Sequence, residues 1–141
     1  MRIEDVVRDR GSRFGVALAP VAGRAGVQAY LADLGQIKKY AKATHNSWAV
    51  ILSDGGTQKS DDGEAGAGAI ILKMLEREGL VDHLIVVTRW YGGVHLGGDR
   101  FAHIVTCVRA ALEAHAPRPD EVPGSAKQQR TQLKATQPGR S

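Results

Sequence analysis

Residues 14–21, FGVALAPV, form an apolar run bounded by Gly11 and Ser12 on one side and Gly23 on the other, with Pro20 where a strand can end. This predicts a first strand. From Arg24 the pattern changes period: Val27, Tyr30, Leu31, Leu34, Ile37 and Ala41 recur every three or four residues and predict one helix over 24–41 with a single buried stripe. Gly35 interrupts it at a cost of ~1 kcal/mol relative to alanine. WAVIL at 48–52 predicts a second strand, closed by the turn residues SDGG at 53–56, and a short third strand follows at 57–60. Next, Ala67, Ile70, Ile71, Met74, Leu75 and Glu78 mark a helical face that Gly79 stops. The unbroken apolar run at 84–87 suits a strand covered on both faces. A last helix is predicted from Asp99, with Phe101, Ile104, Val105, Val108 and Leu112 inward and His115 near its end. Strand, helix, strands, helix, strand, helix is the order of a single α+β sandwich domain over 1–116.

Residues 117–141 carry prolines, glycines, glutamines and basic side chains without apolar periodicity, and are expected to form a disordered basic tail. The formal net charge of +4 is unevenly spread: the first 116 residues hold fourteen Lys/Arg against thirteen Asp/Glu, and the tail holds five against two. A balanced domain gives little general grip on nucleic acid, which depends on the phosphates neutralised. Cys107 is the only cysteine, so neither an internal disulfide nor a cysteine-built metal cage is available. No window approaches a membrane span, and the charged N-terminal stretch lacks the apolar run of a signal peptide, which makes the cytoplasm the expected location and a membrane an unexpected partner.

Three stretches could carry chemistry. Asp61, Asp62 and Glu64 put three carboxylates ahead of a helix, open to metal binding, to a partner contact, or to capping of the helix amides. Gly66 and Gly68 leave the helix start bare, for close packing or for an anion. His45 with Asn46 could supply a general base or simply hydrogen-bond a loop. In RWYGGVHLGGDRF, 89–101, Arg89 and Arg100 can fork onto carboxylates, and Gly92, Gly93, Gly97 and Gly98 permit a folded-back loop. Trp90 and Tyr91 are adjacent, so one is expected to fill the core and the other to face solvent or a partner. The plainer reading is a glycine turn with Asp99 capping the last helix.

KATHN at 42–46, DDGEAGAG at 61–68, VVTRWYGGVHLGGDRFAHI at 86–104 and DRGSRFGVALAPV at 9–21 closely resemble the IMPACT family, also called the UPF0029 or YigZ-type domain. The resemblance covers about residues 8–115, and its wording is nearer the eukaryotic members. It implies a fold like the second domain of ribosomal protein S5, a two-layer sandwich of a four-stranded sheet with helices 24–41, 66–78 and 99–115 on one face. It also implies a regulator without catalytic activity or cofactor. Eukaryotic members bind the large activator of the kinase that phosphorylates the α subunit of translation initiation factor 2, and so restrain that kinase. Ala65, Ile70 and Gly98 depart from the family's usual Thr or Pro, Arg, and Pro. The 141 residues leave room neither for the RWD domain of eukaryotic members nor for the extra C-terminal domain of bacterial ones.

The leading expectation is therefore a non-enzymatic protein-interaction domain in translational control. Its partner-facing or motif residues would be His45, Asn46, Asp61, Asp62, Gly63, Glu64, Arg89, Trp90, Tyr91, Gly92, Gly93, Gly97, Asp99 and Arg100. The alternative is an RNA- or ribosome-associated module in which Trp90 or Tyr91 stacks on bases and the tail adds charge. A third reading, a hydrolase or transferase, needs a pocket that brings His45, Glu64 and Arg89 together.

Overall fold

The computed structural model describes residues 1–116; the expected tail lies outside the described residues. Five strands, β1 (Arg2–Asp9), β2 (Ser12–Pro20), β3 (His45–Ile51), β4 (Thr57–Ser60) and β5 (His83–Trp90), form one sheet in the order β1-β2-β5-β3-β4. Every neighbouring pair is antiparallel. The expected four-stranded sheet thus gains β1, whose RIEDVVRD sequence shows no period of two. A register shift between Ile3 and Val7, with Asp5 at φ 55°, explains why. Three residues of β1 lie between Ile3 and Val7 but one of β2 between their partners Val16 and Phe14, so β1 bulges there and its alternation is lost.

The two apolar strands at the centre of the sheet behave as their patterns predict. Val16 pairs with Val87 and Leu18 with Ile85 on one face; Ala17 pairs with Val86 and Ala19 with Leu84 on the other, and all eight are buried. Helices α3 (Ala67–Glu78) and α4 (Asp99–His115) cover the first face. Ile71 and Leu75 of α3, with Ile104, Cys107 and Val108 of α4, interlock there with Phe14, Val16 and Ile85. Burial pushes the Cys107 thiol up to about 12, so it packs as a small apolar group.

The expected single helix over 24–41 is two: α1 (Gly23–Gln36) and α2 (Lys38–Ala41). Ile37 between them is extended at φ −79°, ψ 120°. It is 38% exposed, and the buried place expected for it goes to Tyr40, 3% exposed and edge-on to Trp90 with ring centroids 5.4 Å apart. Val27, Tyr30, Leu31 and Leu34 of α1 pack with Ala17, Val50, Leu84 and Val86, the residues on the sheet face opposite α3 and α4. The one-face sandwich therefore describes α3 and α4, while α1 and α2 lie over the other face. Alternation along β2 and β5 requires this, because both faces of those strands are apolar.

Gly35 sits in the last turn of α1, and a Cβ built on it meets nothing within 4 Å. Gly35→Ala should raise stability by ~0.4–1 kcal/mol by removing unfolded-state freedom, read as a higher urea midpoint at unchanged m-value.

Candidate functional site

The KATHN, DDGEAGAG and RWYGG segments meet at one end of the sheet. His45 and Asn46 open β3, three residues before the expected start, and sit opposite Arg89 and Thr88 of β5. The loop 61–66 folds against them. The Asn46 backbone N–H donates to Asp62 Oδ2 at 2.7 Å, and His45 Nδ1 lies 2.8 Å from the Asp62 carbonyl oxygen. A carbonyl only accepts, so Nδ1 carries the hydrogen. Asp62 at φ 47° and Gly63 at φ 86° make the turn. A side chain on Gly63 would place its Cβ 2.9 Å from the His45 ring, so glycine is required there by both conformation and contact.

Of the three readings open for the acidic run, Asp61 follows the cap. Its carboxylate accepts the Gly66 N–H at 3.0 Å and the Gly68 N–H at 2.7 Å, which hold its pKa below the usual carboxylate range. Gly68 is also the close-packing glycine expected from the bare helix start, since a Cβ there would lie 3.2 Å from Ser60 backbone atoms.

Glu64 and Arg89, expected on the surface, are instead 4% and 6% exposed. Arg89 Nη1 donates to Glu64 Oε2 at 3.0 Å, and Arg100 Nε lies 3.1 Å from the same oxygen. Arg100 also donates to the Gly97 and Ala65 carbonyls at 3.0 and 3.2 Å. Strand parity is the reason for the burial: Arg89 pairs with Phe14, shares its inward face and lies over its ring, 5.4 Å from the centroid. Trp90, one residue on, turns to the α1–α2 face and donates Nε1–H to the Lys39 carbonyl at 2.9 Å. Tyr91 is then 42% exposed, which fulfils the expected division between the two aromatics.

The glycines of the 91–98 loop do different jobs. Gly92 packs directly on Gly11, where an added Cβ would come within 2.0 Å of a backbone carbon. Gly93 and Gly97 have φ 95° and 57°. Leu96, 4% exposed, pins the loop to the core, and Val94 at its tip is 46% exposed. Asp99 does not cap α4 as expected; its carboxylate pairs with Arg10, which also holds Asp9. Gly98 precedes the helix at φ −69°, within the range that proline adopts.

Four contributors escaped the sequence reading. Ser12 Oγ accepts both the Gly92 N–H, at 3.1 Å, and Arg89 Nη2, at 3.4 Å. The Tyr91 N–H donates to Thr44 Oγ1 at 3.0 Å. His103 Nε2 lies 2.7 Å from Asp9 Oδ2, and Arg10 and then His103 hold the Asp9 carboxyl well below its ordinary range. All four lie inside the stretches that carry the family resemblance; what the sequence does not show is that Asp9 and His103, 94 residues apart, meet.

His45, Glu64 and Arg89 do come to the same face of the sheet, but Glu64 is shared by two arginines and the His45 ring is engaged by the 61–66 loop. A nearby cleft on the α1 side is lined by Asn46 and Asp62 and by none of those three. Among the described residues, no group of three His, Cys, Asp or Glu could hold a metal ion. Nor is any helix among them long and apolar enough to cross a membrane.

Residues 10–112 match the family model of the Impact N-terminal domain. Protein IMPACT of Bos taurus is 44% identical over 111 residues, and that of Homo sapiens 41% identical over 111; each alignment covers 75% of this chain and 35% of the relative. The chain thus spans about a third of the length of the curated relatives it matches. A crystal structure of a hypothetical protein superposes with TM-score 0.69 at 27% identity, covering 79% of this chain and 57% of that one.

Removing Glu64 leaves two arginines crowded without their counter-charge. Glu64→Ala should cost ~3–5 kcal/mol in chemical denaturation, the usual penalty for breaking a buried pair on one side, and a variant within 1 kcal/mol of wild type would show that the pair is not structurally important. The loop glycines should separate equally clearly. Gly92→Ala is expected to be among the rare substitutions costing more than ~4 kcal/mol, while Gly98→Pro should raise stability by ~0.4–1 kcal/mol; thermal melts of both variants check the contrast.

Proposed function

Because the chain belongs to the IMPACT family, we propose that it is a non-enzymatic protein-interaction domain acting in translational control, with the activator of the initiation-factor-2 α kinase as partner class. One observation carries the reading. The family motifs converge on the buried Glu64–Arg89 pair and the half-buried Arg100, which fix two loops; the segments they hold expose Tyr91 and Val94, 42% and 46% exposed, and the carboxylates of Asp62 and Asp99. An aromatic and an aliphatic side chain on a rigid loop, rimmed by charge, is the composition of an interface anchor. Glu64 and Arg89 support this surface from inside, and Gly92, Gly93 and Gly97 set its outline.

The interior arrangement favours protein over RNA. Arg13 and Lys39 lie over the Trp90 ring, 5.7 and 5.3 Å from its centroid, and its Nε1–H is already bonded. An indole so occupied is a poor platform for base stacking, which needs an open face. The Tyr91 ring meanwhile packs against His95, with centroids 5.5 Å apart.

Val94→Asp and Tyr91→Ala should each weaken binding of the purified chain to the purified kinase activator by tenfold or more, measured by biolayer interferometry, with melting temperatures unchanged. Equal binding by both folded variants, or stronger binding to RNA than to the activator at low salt, would overturn this reading.

A further inference from the structure

Residues from the end of α1, from β3 and β4 and from the 61–66 loop line a cleft of about 230 Å³. Its apolar lining is Leu31 and Leu34 from α1 and the half-buried indole of Trp48 from β3. Gly35 lines it too, and with no side chain there the space stays open. Asn46 of β3, Ser60 of β4 and Asp62 supply its polar lining.

Asp62 is the informative member. One carboxylate oxygen, Oδ2, accepts the Asn46 N–H, and the backbone of Asp62 is held by His45 and by its own left-handed conformation at φ 47°. Among the described residues its other oxygen has no hydrogen-bond partner, and none of their ion pairs includes Asp62. A negative charge without a counter-ion among the described residues therefore lines a cleft that also contains an aromatic ring. Drug-sized ligands occupy pockets of ~300–1,000 Å³, so this volume suits one side chain of a partner. A long aliphatic stem would lie along Leu31 and Leu34, a cation would approach the indole, and the head would reach the carboxylate.

We propose that this cleft is a receptor for one basic side chain, arginine or lysine, projecting from a protein partner. The site rests on the protein-interaction reading and adds to it a second contact, on the α1 side of the motif loops, that selects positive charge. The neighbouring Asp61, two atoms of which are spent on Gly66 and Gly68, could not serve in this way.

The test is an NMR titration of the full chain with Nα-acetyl-arginine methylamide, Nα-acetyl-lysine methylamide and, as an uncharged analogue, Nα-acetyl-norleucine methylamide. The expected result is saturable shifts of the Trp48 indole N–H and the Ser60 amide with at least one basic probe and none with norleucine. Asp62→Asn, which keeps an acceptor for the Asn46 N–H, should weaken that binding at least tenfold. Gly35→Leu should fill the slot and abolish binding without lowering the melting temperature. Equal shifts from norleucine, no shift from either basic probe, or full binding by Asp62→Asn would overturn the proposal. The two readings fail separately: activator binding that depends on Tyr91 and Val94 concerns the loop surface, whereas these probes need no partner and report on the cleft alone.

Discussion

One carboxylate holds the motif end of this domain together. Glu64 is buried between Arg89, which comes from the last strand, and Arg100, which comes from the first turn of the last helix. Withdrawing such charges from water costs several kcal/mol per ion before pairing offsets it, so the arrangement is a poor way to gain stability alone. Its geometric consequence is specific. The loop bearing Glu64 cannot move without uncovering Arg89, and Arg100 binds the carbonyls of Ala65 and Gly97, one on each loop. Two segments some thirty residues apart in sequence are thereby locked to a common position, which a purely apolar contact would define less sharply.

Two positive side chains share a single negative one, and among the described residues the buried Arg89 Nε–H has no hydrogen-bond partner. The aromatic rings make part of the difference good. Phe14 and Tyr91 lie 5.4 and 5.6 Å from the Arg89 guanidinium carbon, and Phe101 lies 4.4 Å from that of Arg100. Cation–π contacts gain strength when desolvated. This ties the exposed Tyr91 to the buried pair: the ring that faces outward is oriented by the charge beneath it.

How much of this was legible in the sequence follows from which signals are local. The final helix came out with the bounds its local period gave, and β4 where the SDGG turn before it placed it. Strand β1 did not, since an irregular strand with charges at Asp5 and Arg8 has no period to read. The break at Ile37 also escaped: it rotates Tyr40 onto Trp90, a partner fifty residues distant. At the site, residue types were legible and directions were not. Arg89 and Glu64 look like surface charges until β5 is known to run beside β2, at which point parity with Phe14 sends Arg89 inward.

In the acidic run a tight turn rather than strand parity sets direction, and three carboxylates in four residues have three fates. Asp61 turns back onto the helix amides, Glu64 goes into the core, and Asp62 is left outside with one oxygen committed. The left-handed residues Asp62 and Gly63 between them produce this divergence, because the chain must reverse sharply for both Asp61 and Glu64 to face inward from opposite ends of the turn. The exposed carboxylate is thus fixed by the same geometry that buries its neighbours. A surface charge on a freely rotating loop would pay an ordering cost on meeting a partner; at Asp62 most of that ordering is already done by His45, Asn46 and the buried Glu64.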